Sequence, residues 1–124
     1  SGSRHELAEA IEHAEDLGLR AMELDVTGAF HSPMMASAVP EFRAALAATE
    51  FAEPAVTVLS AVTAEAFTDP ARQLADALTM PVRWHETMLA LHRLGAERFV
   101  EVGPGRVLTG LAKRTLKGVE LVHA

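Results

Sequence analysis

The amino-acid sequence predicts one α/β domain with a largely parallel sheet. Two kinds of apolar pattern alternate along the whole chain: short runs or alternations typical of strands, and three- and four-residue spacings typical of helices. Strands that alternate with helices are characteristic of α/β folds. A length of 124 residues fits a single domain with its own core.

Five helices are predicted. Ser3 and Glu6 have the spacing of a capping box and predict the start of the first helix, which Gly18 ends. The second apolar stripe contains Pro40, so this helix either kinks there or begins its regular part near it. The remaining helices are predicted at residues 70–78, 82–94 and 107–116.

Four strands are predicted, at residues 21–26, 56–62, 98–102 and 119–122. In the first, apolar and acidic residues alternate, which predicts a strand with one wet face. In the second, alternate residues share one face and predict a buried strand. Those residues are Val56, Val58, Ser60 and Val62.

Composition excludes several classes of function. The net charge is −6 and the 11 basic residues are scattered along the chain, so we expect no nucleic-acid partner. Apolar runs are far shorter than the ~20 residues of a membrane helix, so no membrane partner is expected. The absence of cysteine excludes disulfides, thiolate catalysis and cysteine-based zinc sites, and it fits a cytoplasmic location.

His31 is the histidine with the strongest functional position. It lies in a loop that follows a predicted strand, and ligands of open α/β sheets bind beyond the carboxyl ends of strands. A histidine there can act as a general base, or it can simply cap the next helix. His85 and His92 are better interpreted as surface histidines, because Leu89 stands where a zinc-binding HExxH motif needs its second histidine. We therefore expect neither a metal nor a cofactor.

Other candidate sites are weaker. Gly103-Pro104-Gly105 has the outline of a phosphate loop, but no Gly-Lys-Ser/Thr follows, so a tight turn is the favoured interpretation. No GxSxG motif occurs, and no serine is assigned as a nucleophile. The serines considered are Ser32, Ser37 and Ser60.

Three segments together resemble malonyl-CoA:acyl carrier protein transacylases and the acyltransferase domains of polyketide synthases. They are GAFHSPMM at residues 28–35, PVRW at 81–84 and EVGPGRVLTGL at 101–111. The resemblance implies the C-terminal part of such a domain. Residues 1–26 correspond to the last helix and strand of a ferredoxin-like small subdomain, and residues 27–124 to the C-terminal part of an α/β-hydrolase-like large domain. A first helix without a preceding strand fits this expectation.

The resemblance also implies roles for individual residues. His31 takes the proton of a serine that attacks the malonyl thioester, and the malonyl-serine then passes its acyl group to the phosphopantetheine thiol of acyl carrier protein. The main-chain carbonyl of Ala77 orients the histidine. Phe30 favours malonyl over methylmalonyl units by filling the space of an α-methyl branch.

The implied partners are malonyl-CoA, acyl carrier protein and the N-terminal part of the same acyltransferase, which carries the GxSxG serine. Three alternatives stay open. The chain belongs to a polyketide synthase acyltransferase domain, to the acyltransferase subunit of a malonate decarboxylase, or to a non-catalytic scaffold domain of the same fold. A GxSxG serine in the accompanying sequence would favour the enzymes over the scaffold.

Overall fold

The computed structural model describes residues 2–124. The chain divides into two compact units, of which unit 1 comprises Ser1–Phe51 and Asp69–Pro81, and unit 2 comprises Ala52–Thr68 and Val82–Ala124. Within the described residues, no helix has the length and apolar character needed to cross a membrane.

Unit 1 begins with helix α1, Arg4–Asp16, and confirms the predicted cap. The hydroxyl of Ser3 accepts a hydrogen bond from the Glu6 amide at 3.3 Å, and the Glu6 carboxylate accepts one from the Ser3 amide at 2.7 Å. Gly18, with a φ of +69°, follows the helix. This left-handed conformation suits glycine and ends the helix as predicted.

The other helices of unit 1 lie side by side. A 3₁₀ helix at Pro33–Ala38 leads into α2 at Val39–Ala47, so the regular helix begins near Pro40. Proline is tolerated there because the first turn of a helix needs no amide donor. Helix α3 spans Pro70–Ala77 and packs against α2.

The predicted strand at residues 21–26 is wrong. This segment joins no sheet, and Met22, Leu24 and Val26 are exposed, Met22 by 78%. A strand needs a neighbouring backbone to satisfy its amides and carbonyls, and no described segment pairs with this one. Instead, the Val26 amide donates to the carbonyl of Leu24 at 2.9 Å, a local bond that bends the chain.

Unit 2 confirms the last three predicted elements to within one residue. Strands β3, Arg98–Glu101, and β4, Glu120–His123, pair in parallel, and helix α5, Val107–Thr115, connects them. Helix α4, Trp84–Arg93, confirms the predicted helix at 82–94 with a start two residues later. A core cluster joins α4 and α5, and its buried members are Met88, Ala112 and Leu116.

The predicted buried strand at residues 56–62 requires correction. Only Leu59–Ser60 forms a strand, β1, which pairs antiparallel with β2 at Glu65–Ala66. The Ala64 amide donates to the Ser60 carbonyl at 2.8 Å, so the chain reverses after β1. Of the predicted buried face, Ser60 and Val62 are buried, whereas Val56 and Val58 are exposed, Val56 by 72%. Among the described residues, the expected parallel arrangement therefore holds for β3 and β4, while β1 and β2 form a separate antiparallel pair.

Candidate active site

His31 lies in the loop before the 3₁₀ helix of unit 1, and its side chain contacts the end of α3. Its Nδ1 atom is 2.7 Å from the main-chain carbonyl oxygen of Ala77, 46 positions along the chain. This carbonyl is available because the last carbonyls of a helix have no partner within the helix. The two residues that the family resemblance paired are thus in hydrogen-bond contact.

The Ala77 carbonyl determines which ring nitrogen of His31 carries the proton. A carbonyl oxygen can only accept, so Nδ1–H donates, and the neutral ring keeps its lone pair on Nε2. If Nε2 takes a proton, the Nδ1–H bond persists. The carbonyl can therefore hold one ring orientation through a proton transfer.

Phe30 lies directly before His31 and is 48% exposed. Together they border an apolar hollow of about 210 Å³ within unit 1, lined by Phe30, His31, Phe42, Leu74, Ala77 and Leu78. The Phe30 ring lies over Gly28, where an added Cβ would stand at an ordinary van der Waals distance of 3.4 Å from the ring carbon Cε2. The phenyl group thus occupies space beside the imidazole.

Of the three serines considered in the sequence, two are buried and hydrogen-bonded to nearby main chain, and one is exposed. Ser32 is buried, and its hydroxyl donates to the carbonyl of Ala29 at 2.6 Å. Ser60 is also buried, and its hydroxyl accepts from the Val62 amide at 3.3 Å. Ser37 is exposed on the 3₁₀ helix.

The carboxylate of Glu101 stabilises the turn at residues 103–105 of unit 2, a role that the sequence analysis did not predict. Glu101 accepts hydrogen bonds from the amides of Leu108 and Thr109, at 3.1 and 2.8 Å, and from the Thr109 hydroxyl at 2.5 Å. These amides belong to the first turn of α5, where an anion would bind in a phosphate loop. Because Glu101 already occupies them, the tight-turn interpretation is the better one.

Two further contacts hold this turn. Gly103 and Gly105 have φ values of +124° and +90°, which favour glycine. The ring of His123, at the end of β4, hydrogen-bonds through Nε2 to the Gly103 carbonyl at 2.9 Å. Sequence reasoning assigned no role to His123, since a link to a residue 20 positions away leaves no local pattern.

The Glu101 contacts predict an acid-dependent stability. The hydrogen bonds from Thr109 are the main cause that lowers the pKa of Glu101 below its ordinary value of 4.5. The stabilisation is therefore fully present above pH 4.5 and is lost as the pH falls through the lower pKa of the folded state. We expect Glu101→Gln to lower Tm at pH 7 and to weaken the decrease of Tm in acid.

Thermal unfolding of the complete domain, with its expected N-terminal part, between pH 3 and 7 checks this prediction, with hydrogen exchange at the Leu108 and Thr109 amides as a local measurement. Glu120→Gln is the matched control, because Glu120 forms only an exposed ion pair with Arg98 at 3.4 Å. Exposed pairs contribute little. Equal Tm changes in the two variants would contradict the capping role.

In the segment at residues 81–84, Arg83 and Trp84 make structural contacts within unit 2. The Arg83 amide donates to the Ala61 carbonyl at 2.7 Å, and its guanidinium donates to the Thr63 carbonyl at 3.0 Å. The same guanidinium pairs with Glu86, which raises the pKa of Arg83 and lowers the pKa of Glu86. Trp84 packs against the core of unit 2.

No metal-binding group emerges in the described part of the chain, where no three histidine, aspartate or glutamate side chains come together. His92 instead makes a local contact, with Nδ1 3.2 Å from the Ala96 carbonyl at the end of α4. The exposed His5 pairs with Glu9 on α1 at 3.4 Å.

The relatives of this chain are acyltransferases. The malonyl CoA-acyl carrier protein transacylase of Synechocystis sp. is 44% identical over 105 residues, which are 82% of this chain and 36% of that protein. The solved acyl carrier protein S-malonyltransferase of Vibrio cholerae is 35% identical, with a TM-score of 0.92 over 99% of this chain and 42% of that one. A malonyl-transacylase solved in complex with a type II polyketide synthase acyl-carrier protein is 31% identical, with a TM-score of 0.90 over 99% of this chain and 40% of that one.

The chain thus spans about two fifths of the length of these relatives. The family model of the acyl transferase domain matches residues 1–123. Since this match covers nearly every residue, the chain belongs to the acyl transferase domain family.

Proposed function

We propose that this chain supplies the general base of a malonyl-CoA:acyl carrier protein transacylase. The observation that carries the proposal is the 2.7 Å contact between Nδ1 of His31 and the carbonyl oxygen of Ala77. It leaves Nε2 of an exposed imidazole free to take a proton. Family membership supports the assignment, because these relatives are named for malonyl transfer.

The proposed reaction has two steps, acylation of the serine and transfer of the malonyl group to the carrier protein. In the first, Nε2 of His31 takes the proton of a serine hydroxyl while the serine oxygen bonds to the malonyl carbonyl carbon. The carbon–sulfur bond of malonyl-CoA breaks, and the proton passes to the departing thiol. In the second, the phosphopantetheine thiol of the carrier protein gives its proton to His31 and attacks the ester. The ester bond breaks, and the proton returns to the serine oxygen.

The nucleophilic serine is proposed to lie in the N-terminal part of the same acyltransferase. The hydroxyls of Ser32 and Ser60 are buried and bonded to nearby main chain, so neither suits nucleophilic attack. The span of about two fifths of the relatives' length leaves room for a second part that holds the serine. From the family resemblance we also propose that residues 1–26 belong to the ferredoxin-like small subdomain and residues 27–124 to the α/β-hydrolase-like large domain.

Acyl carrier protein is the proposed acceptor. A relative of this chain has been solved in complex with a type II polyketide synthase acyl-carrier protein, which supports a carrier partner. That relative also keeps polyketide synthesis open as the setting of the same reaction.

The test is transfer of labelled malonyl groups from malonyl-CoA to a phosphopantetheinylated carrier protein by the complete acyltransferase. We expect a malonyl ester on the enzyme before label appears on the carrier. A non-catalytic scaffold domain would show neither the ester nor the transfer.

Phe30 is proposed to select malonyl over branched units. Its phenyl ring occupies space beside His31, and Phe30→Ser would open that space to an α-methyl group. A difference of one methyl group is worth ~1–3 kcal/mol, so we expect the kcat/KM ratio of methylmalonyl-CoA to malonyl-CoA to rise by about 10- to 200-fold at most.

Competition between the two thioesters measures this ratio. Phe51→Ser is the control, because Phe51 is also partly exposed, by 40%, but does not line the hollow beside His31. An unchanged ratio in Phe30→Ser, or an equal rise in Phe51→Ser, would show that the steric explanation is wrong.

A further inference from the structure

The loop that carries His31 contains a buried polar residue next to it. Ser32 is only 4% exposed, and its hydroxyl both donates and accepts a hydrogen bond. It donates to the carbonyl of Ala29 at 2.6 Å and accepts from the amide of Met34 at 3.3 Å. One hydroxyl therefore joins the chain before His31 to the helix after it.

The backbone at His31 needs such a constraint. Its φ is +59°, in the left-handed region, which is uncommon for a residue with a Cβ and costs free energy that surrounding contacts must offset. Ser32 itself is extended, with a φ of −140° and a ψ of 163°, so His31 makes the reversal. The bond from Ser32 to Ala29 spans His31 and closes this reversal.

We propose that Ser32 is a positioning residue for the His31 imidazole. Its hydroxyl holds the left-handed backbone of His31, and this conformation brings Nδ1 to the carbonyl of Ala77. The inference rests on the proposed function of His31 as the general base. Ser32 does not touch the reacting atoms, because its hydroxyl is buried and bonded within the loop.

Ser32→Ala removes both bonds of the hydroxyl. The Ala29 carbonyl loses a donor, the Met34 amide loses an acceptor, and the imidazole samples orientations away from Ala77. Misplacement of a catalytic group by about 1 Å can cost on the order of 10²-fold in rate, so we expect kcat to fall by about 10- to 100-fold. KM for malonyl-CoA should stay near the wild-type value, since no binding contact is removed.

Two variants serve as matched comparisons. Ser32→Thr keeps the hydroxyl, and its β-branched side chain suits the extended backbone at this position, so we expect it to restore most of the rate. Ser37→Ala removes an exposed hydroxyl from the adjoining 3₁₀ helix and should leave kcat unchanged.

The decisive measurement is kcat for malonyl transfer by the complete acyltransferase, with Ser32→Ala made both in the wild type and in a His31→Ala background. A positioning role predicts a loss in the wild type and no further loss without the imidazole, because there is no ring left to orient. An equal loss in both backgrounds, or a wild-type rate for Ser32→Ala, would overturn the inference.

The same variants at positions 31 and 32 distinguish a failure of this inference from a failure of the proposed function. A wild-type rate in His31→Ala alone overturns the general base and the positioning role together. A large loss in His31→Ala with no loss in Ser32→Ala overturns the positioning role only. If Ser32→Ala does not unfold cooperatively, Ser32→Cys replaces it in both backgrounds, because a thiol of similar size is a much weaker donor and acceptor.

Discussion

His31→Ala in the complete acyltransferase is expected to slow malonyl transfer by about 10²- to 10⁴-fold, the range typical of a lost general base. Without the imidazole, no group at this position accepts the serine proton as the oxygen attacks. KM for malonyl-CoA should change much less than kcat, since the ring acts on the proton and not on the bound thioester. Single-turnover formation of the malonyl ester measures the affected step directly.

His31→Asn provides a sharper version of this experiment. Asparagine tolerates the left-handed backbone that His31 adopts, with its φ of +59°. Its side-chain amide can also donate a hydrogen bond, as Nδ1 of His31 does to Ala77. It cannot accept a proton as a base, so we expect a loss as large as that of His31→Ala with an unchanged Tm.

A third variant controls for the loss of any histidine. His85→Ala removes an exposed ring from α4 in unit 2 and should leave the rate unchanged. Added imidazole should restore part of the rate to His31→Ala and none to wild type. Near wild-type transfer by a correctly folded His31→Asn variant would show that His31 is not the base.

The helices of this chain could be predicted because their signals are local. Each signal lies within a few positions of the helix end that it marks, as Ser3 and Glu6 do at the start of α1 and Gly18 does at its end. The parallel pair β3 and β4 was predictable for a related reason, since a helix between two short apolar strands fits a crossover connection.

The two incorrectly predicted strands depend on pairing with backbone that is distant along the chain. Residues 21–26 alternate as a strand does, yet a strand exists only where a second backbone pairs with it, and no described segment does so. Residues 56–62 carry a strand-like apolar face, but the hydrogen bond between the Ala64 amide and the Ser60 carbonyl reverses the chain just after Ser60. Apolar periodicity describes which face is buried and carries no information about such a turn.

The same difference between local and long-range signals applies to the residues of the candidate site. His31 was singled out because it follows the strand predicted at residues 21–26, which the described chain does not form, so only the motif match with the family supported it. Its contact with Ala77 spans 46 positions and came from the family resemblance alone. Glu101 was missed because it caps α5 from seven and eight residues away, beyond the spacing that capping patterns describe. The left-handed φ of His31 also leaves no mark in the sequence, because histidine is not a residue that turns require.

The second large effect concerns the 124-residue chain by itself, which is expected to lack both activity and cooperative unfolding. Large apolar side chains are exposed in each unit: Val102 by 83% and Val107 by 71% in unit 2, and Met22 by 78% in unit 1. Folded proteins rarely leave so many large apolar groups in water.

The unpaired edges of the strands support the same expectation. The β3–β4 pair has only two strands, so in the described residues each strand has one unpaired edge. Folded proteins normally pair or cover such edges, and isolated two-stranded sheets are marginal in water. We therefore expect the N-terminal part of the acyltransferase to bury these surfaces, in an interface of well over ~2,000 Å² that resembles a divided domain core.

Co-expression of this chain with the part that carries the GxSxG serine tests the expectation. The separate chain should bind hydrophobic dyes, associate in sedimentation experiments and melt over a broad range, because its apolar surfaces stay in water. The two parts together should form a one-to-one complex that melts sharply and transfers malonyl groups. His31→Asn in this complex should abolish transfer without changing assembly, since it alters the base and leaves the buried surfaces intact. A separate chain that is a 13.3 kDa monomer with sharp thermal unfolding would show that these surfaces need no partner.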